Sequence, residues 1–108
     1  MALTAPEFVS RLSSRVPESS ATLREHLDEQ EGELLLHLLV GDLRRLALAW
    51  FGEGKTDALA RLLDEVDTAL REGDEYVENA VAVSFVEDLG FWEAEMQPFI
   101  EILPGELA

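Results

Sequence analysis

Residues 33–51, ELLLHLLVGDLRRLALAWF, are apolar on nearly every side, and that run leaves few folds open to the chain. At 19 residues it is too long for one strand, since strands usually span about 3–10 residues. It also carries Asp42, Arg44 and Arg45, which a membrane span would seldom tolerate. The segment therefore reads as a central helix around which the remaining chain packs. Gly41 in its middle offers a point of close approach for a neighbour, and Trp50 and Phe51 at its end read as core.

The flanking sequence divides into further helices. Thr4 and Glu7 have capping-box spacing, and Phe8, Val9 and Leu12 follow on one face, which predicts a helix over residues 5–15 ended by Val16-Pro17. SSATLREHLDEQEG then places Leu23 and Leu27 at i and i+4, a short amphipathic helix ending near Gly32. After the GEGK loop, Thr56 is the expected cap of TDALARLLDEVDTALREG, where Leu59, Leu62, Leu63, Val66 and Leu70 form a stripe that stops at Gly73. Asp74 is the expected cap of the next segment, with Val77, Ala80, Val81, Ser84 and Phe85 on one face. The AVAVSFV portion has strand character, but no second strand candidate exists to pair with it. The tail FWEAEMQPFIEILPGELA holds a last amphipathic piece bounded by Pro98 and Pro104.

These segments predict a single all-α domain, residues 1–108, with five to six helices in a compact bundle. LVGDL at Leu39 and FVEDL at Phe85 agree in three of five places, 46 residues apart, which suits stacked helix pairs of the HEAT kind as an alternative packing. With 47% hydrophobic and 29% charged residues, the chain has an ordinary globular composition. No signal-peptide pattern opens the sequence and it has no cysteine, so a cytoplasmic protein without thiol chemistry is expected.

Charge is the unusual bulk property. The formal net charge is −15, and it is uneven: nine acids face six bases up to Thr56, whereas fourteen face two from Asp57 onward. No Lys or Arg follows Arg71. Acids in that stretch must meet water, an Arg from the first half, or a basic partner. Phosphate binding needs basic surface to displace counterions, so nucleic acid is not an expected partner, and neither is a membrane.

Catalytic motifs are absent: there is no phosphate loop, no dinucleotide turn, no G-x-S-x-G and no H-E-x-x-H. A two-point metal site can be drawn from Glu33 and His37, or from His26 with Glu29, but no E-x-x-H pair of a di-metal bundle occurs. His37 reads as a core-edge residue and His26 as a surface one. No enzyme, metal or cofactor is expected. Phe91 and Trp92 follow Gly90 where a helix ends, with Glu87, Asp88, Glu93 and Glu95 around them. Aromatic anchors ringed by charge suit a binding patch, so Glu87, Asp88, Trp92, Glu93 and Glu95 are the candidate partner-binding residues. Alternatively both rings fold back onto the core. Glu87 and Asp88 oppose a helix dipole; either Arg44 or Arg45 pairs with them, or they face a basic partner.

Taken in chain order, PEFVSRL, EGELLLHLLVGDLRRLA and GDEYVENAVAVSFVEDL resemble a family of short acidic all-helical bacterial proteins of unknown function. Its pattern is an F-x-x-x-L helix, a G-E-L-L segment and a V-x-N-x-I-x-V-S-F-x-E-x-L helix. Gly32, Glu33, Leu34 and Leu35 match, as do Asn79, Ser84, Phe85, Glu87 and Leu89; Leu36-His37 departs from it. The resemblance implies a helical fold and an immunity or antitoxin-like context, with no catalytic residues to carry over.

Two readings follow. The first is a non-enzymatic protein-binding module, immunity-like, whose acidic surface neutralises a basic protein such as a toxin. The second is an adaptor or structural subunit whose acidity serves solubility, docking another copy or a larger assembly. Homo-oligomerisation is left open by both.

Overall fold

The computed structural model describes residues 2–29, 36–86 and 97–103. These form an all-α bundle of six helices: α1 (Ala5–Arg15), α2 (Ser20–Glu29), α3 (Leu36–Glu53), α4 (Thr56–Glu72), α5 (Glu75–Val81) and α6 (Gln97–Ile100). A 3-10 turn, Pro17–Ser19, joins α1 to α2, and a π turn, Ala82–Val86, extends α5. No strand is present among the described residues beyond one isolated bridge between Leu3 and Gly73.

Helix α1 starts where the sequence places it. The Glu7 carboxylate accepts from the Thr4 backbone N–H at 3.1 Å and hydroxyl at 2.8 Å, while the Glu7 N–H donates to that hydroxyl at 3.4 Å. These bonds close the capping box and hold the Glu7 carboxyl below its usual range. Phe8 and Leu12 are buried one turn apart, and Pro17 ends the helix by denying the next N–H.

Helix α3 is the central element, in contact with α2, α4, α5 and the π turn. Its Leu36, Leu39, Val40, Leu43, Ala47 and Trp50 are buried, a spacing that covers one broad face. Phe51 departs from expectation. It is 38% exposed, its ring edge-on to Phe99 at 5.5 Å rather than inside the core. Gly41 departs too: a Cβ there would meet, among the described residues, only the Arg45 guanidinium at 3.8 Å, an ordinary contact.

Helix α4 carries the stripe as expected, with Leu59, Leu62, Leu63 and Val66 buried. Thr56, however, is the first helical residue and not the cap; Lys55 occupies the cap position and makes no side-chain capping bond. The helix ends at Gly73 in extended backbone, φ −67° and ψ 156°. Glycine is needed there for space, since a Cβ would lie 2.3 Å from the Ala69 carbonyl and 2.6 Å from Val77 Cγ1. The N-terminal segment clamps the same junction: Leu3 N–H donates to Glu72 O at 2.7 Å, and Asp74 N–H donates to Leu3 O at 2.8 Å.

Asp74 caps α5 as expected, accepting from the Val77 N–H at 2.9 Å. Val77, Ala80, Val81 and Phe85 are buried and Ser84 is half-buried. From Ala82 the backbone widens into the π turn, which rests on α3 and keeps Phe85 in the core. The segment is helical, so its strand character is overridden by packing.

Candidate interaction surface

Six of the eight basic side chains are engaged in ion pairs among the described residues, none of them with an acid of α5. Arg11 on α1 donates to the buried Glu65 carboxylate on α4 at 2.8 and 3.3 Å, with Arg15 also facing it at 3.8 Å. Arg61 donates two bonds to Glu18 at 2.9 and 2.6 Å and a third to the Arg15 carbonyl at 3.0 Å. That fork holds the Glu18 carboxyl down to about 2 and raises the Arg61 guanidinium above its ordinary value. Arg71 faces Asp67 at 3.1 Å and Glu72 at 3.7 Å, Lys55 faces Glu53 at 3.1 Å, and Arg45 pairs with Asp42.

Sequence reading placed His26 on the surface, but it is buried at 1% exposure, with Nδ1 3.7 Å from the Asp42 carboxylate across the α2 and α3 contact. His37 is half-buried and presents its ring to Tyr76 at 5.8 Å. Among the described residues no group of three or more His, Asp or Glu is gathered as metal ligands would be.

What remains is an acidic face at the start of α5. Asp74, Glu75, Tyr76, Glu78, Asn79 and Ala82 line an open depression of about 820 Å³. No basic side chain pairs with Asp74, Glu75 or Glu78 among the described residues. Tyr76 lies between them, 47% exposed, its hydroxyl accepting from the Leu36 N–H at 3.4 Å. That bond and the His37 contact fix the ring's direction while leaving half of it to solvent. The acids complement the helix dipole, which explains their position; it does not neutralise them.

The residues singled out from sequence, Glu87, Asp88, Trp92, Glu93 and Glu95, lie outside the described residues, as do Phe91 and Gly90. They follow directly on the π turn that is described. Of the two local bases considered for Glu87 and Asp88, Arg45 is engaged by Asp42, and the Arg44 Nε is buried without a hydrogen-bond partner among the described residues. From sequence, Asp74 reads only as a helix cap, and Tyr76 does not stand out. The signal available was an aromatic flanked by acids in EYVE.

Fold and surface together define a small acidic all-helical domain in which six of the eight bases are paired with acids outside α5. The chain belongs to the family described as Domain of unknown function (DUF7674), whose model matches residues 9–108. No curated protein matches it, and no solved structure does.

Proposed function

We propose that this chain is a non-enzymatic protein-binding module whose acidic surface engages a basic protein, in the manner of an immunity or antitoxin-like protein acting on a bacterial toxin. The observation that carries this reading is the distribution of ion pairs. Every pair among the described residues falls between Arg11 and Glu72, so the acids of α5, with the exposed Tyr76, are left to solvent or a partner. The lack of any Lys or Arg after Arg71 extends that surplus toward Glu87, Asp88, Glu93 and Glu95, with Trp92 among them. Such a surface steers an oppositely charged protein and rejects like-charged ones.

The test is affinity capture from the native cell extract with the full chain and with a Glu75→Lys, Glu78→Lys variant. The wild type should retain a basic protein at low salt and release it at about 0.5 M salt, where the screening length falls to a few ångströms. The variant should fail to retain it while melting within a few degrees of the wild type. Exposed Leu38, Phe51 and Ile102 favour a second reading, an adaptor docking through apolar surface; capture that resists salt and charge reversal alike would support it instead. No helix among the described residues is long and apolar enough to cross a membrane.

A further inference from the structure

Two of the large apolar side chains left exposed, Phe51 and Ile102, converge on one concavity. Together with Thr56, Leu59, Ala60 and Leu63 they line a groove of about 260 Å³ between the end of α3, the first turns of α4 and the residues after α6. Its floor is preformed, because Leu59 and Leu63 are buried in the core, at 2% and 3% exposure. One wall is held as well: the Phe51 ring is braced by the buried Phe99 at 5.5 Å. An apolar anchor entering the groove would need little rearrangement, which lowers the cost of binding.

The neighbours of the groove are acidic. Asp57 and Asp64 are at i−3 and i+4 of Ala60, on the same face of α4, and both are exposed. Glu101 precedes Ile102 and Glu53 lies two residues beyond Phe51, again exposed. Lys55 and Arg61, the bases next in sequence to Thr56 and Ala60, are paired with Glu53 at 3.1 Å and Glu18 at 2.6 Å. A second copy of this chain is a poor occupant, since it would bring rims of one sign together on molecules of net charge −15 each. We propose that this groove docks an amphipathic helix of the partner, with an aliphatic or aromatic anchor in the concavity and Lys or Arg beside it facing Asp57, Asp64 and Glu101. This rests on the reading of the chain as a module for a basic protein and supplies the apolar half of that recognition.

The experiment uses the ¹⁵N-labelled full chain and three synthetic peptides as probes. One is a Leu and Lys helix with leucines at i, i+3, i+4 and i+7, one has Glu in place of Lys, and one keeps the Leu and Lys composition in an order without that spacing. The first peptide should shift the amides of Phe51, Ala60, Leu63 and Ile102, and the other two should not. Ile102→Asp should weaken its binding by about tenfold or more. Asp57→Lys with Asp64→Lys should weaken it and flatten its salt dependence, with melting temperatures unchanged in both variants. The groove is overturned if Ile102→Asp binds as well as the wild type, if the chain dimerises through these residues, or if binding appears only after truncation behind Leu103. Shifts confined to Glu75 through Asn79 would also overturn it while leaving the acidic-surface reading standing. Failure of every peptide together with salt-indifferent capture of the native partner would remove both.

Discussion

Phe85 and Gly73 show how differently two side-chain positions report on this fold. Phe85 is fully buried between the π turn and α3, so Phe85→Ala should cost about 3–5 kcal/mol in urea unfolding; a loss below about 1 kcal/mol would mean that the site is not a packed core position. Gly73→Ala adds one methyl where the Ala69 carbonyl and Val77 already stand within 3 Å of its place, so a loss of about 1–3 kcal/mol is expected. A neutral or stabilising effect there would contradict the close approach. The role of Phe85 was readable from helical spacing. That of Gly73 was readable only as a helix stop, because the crowding arises from Val77 and from the Leu3 clamp, and backbone hydrogen bonds leave no mark in side-chain sequence. His26 differs from its sequence reading for a related reason: on its own helix it looks polar and peripheral, and it is buried where α2 packs on α3, with the Asp42 carboxylate 3.7 Å away. Phe51 erred the other way, an aromatic at the end of an apolar run whose last turn faces outward.

Helix α4 is tied to α1 through Arg11 and Glu65 and to the 3-10 turn through Arg61 and Glu18, pairs of unequal burial that should respond differently to perturbation. Glu65 is 5% exposed at its side chain, so Arg11→Ala leaves a buried carboxylate with only the 3.8 Å Arg15 contact, and a loss of about 1–3 kcal/mol is expected. Arg45→Ala, which removes a surface partner of Asp42, should stay within about 0.5 kcal/mol in the same unfolding assay. The Glu18 and Arg61 pair is exposed on both sides, so its contribution is small, but its pH dependence is distinctive. The Glu18 carboxyl is lowered from 4.5 to about 2 by the Arg61 fork. A depressed folded-state value means stability that is present above the unfolded value and lost as pH falls through the folded one. The stability difference between wild type and Glu18→Gln should therefore be constant above pH ~5 and shrink as pH falls from ~4.5 toward ~2. A difference that stays constant over that window would show that the pair does not form. Both ends of α1 and α4 and the start of α5 were legible to within a residue or so from caps, prolines and apolar stripes. The π turn was not, since sequence spacing fits an α-helix through Val86 equally well and only packing against α3 selects the wider register.

Net charge governs the molecule as a whole. With −15 on 108 residues and only eight bases against 23 acids, self-repulsion opposes the folded state, and added salt should raise the melting temperature by screening it. A melting temperature that falls between about 10 mM and 300 mM sodium chloride would mean that the internal ion pairs outweigh the repulsion. Composition announced this acidity at once, and the all-α class followed from segmentation. The proposed place of recognition was less legible, because exposure of Tyr76, Phe51 and Ile102 depends on how helices meet. The central claim, an acidic module that recruits a basic protein, is tested most directly by the association rate of the captured partner measured across ionic strength. Wild type should associate fast at low salt, with a rate that falls steeply as salt rises. A variant with Glu75, Glu78, Glu87, Asp88 and Glu93 reversed to Lys should associate slowly, with little salt dependence and an unchanged fold by circular dichroism. Equal rates and equal salt slopes for the two proteins would contradict the account.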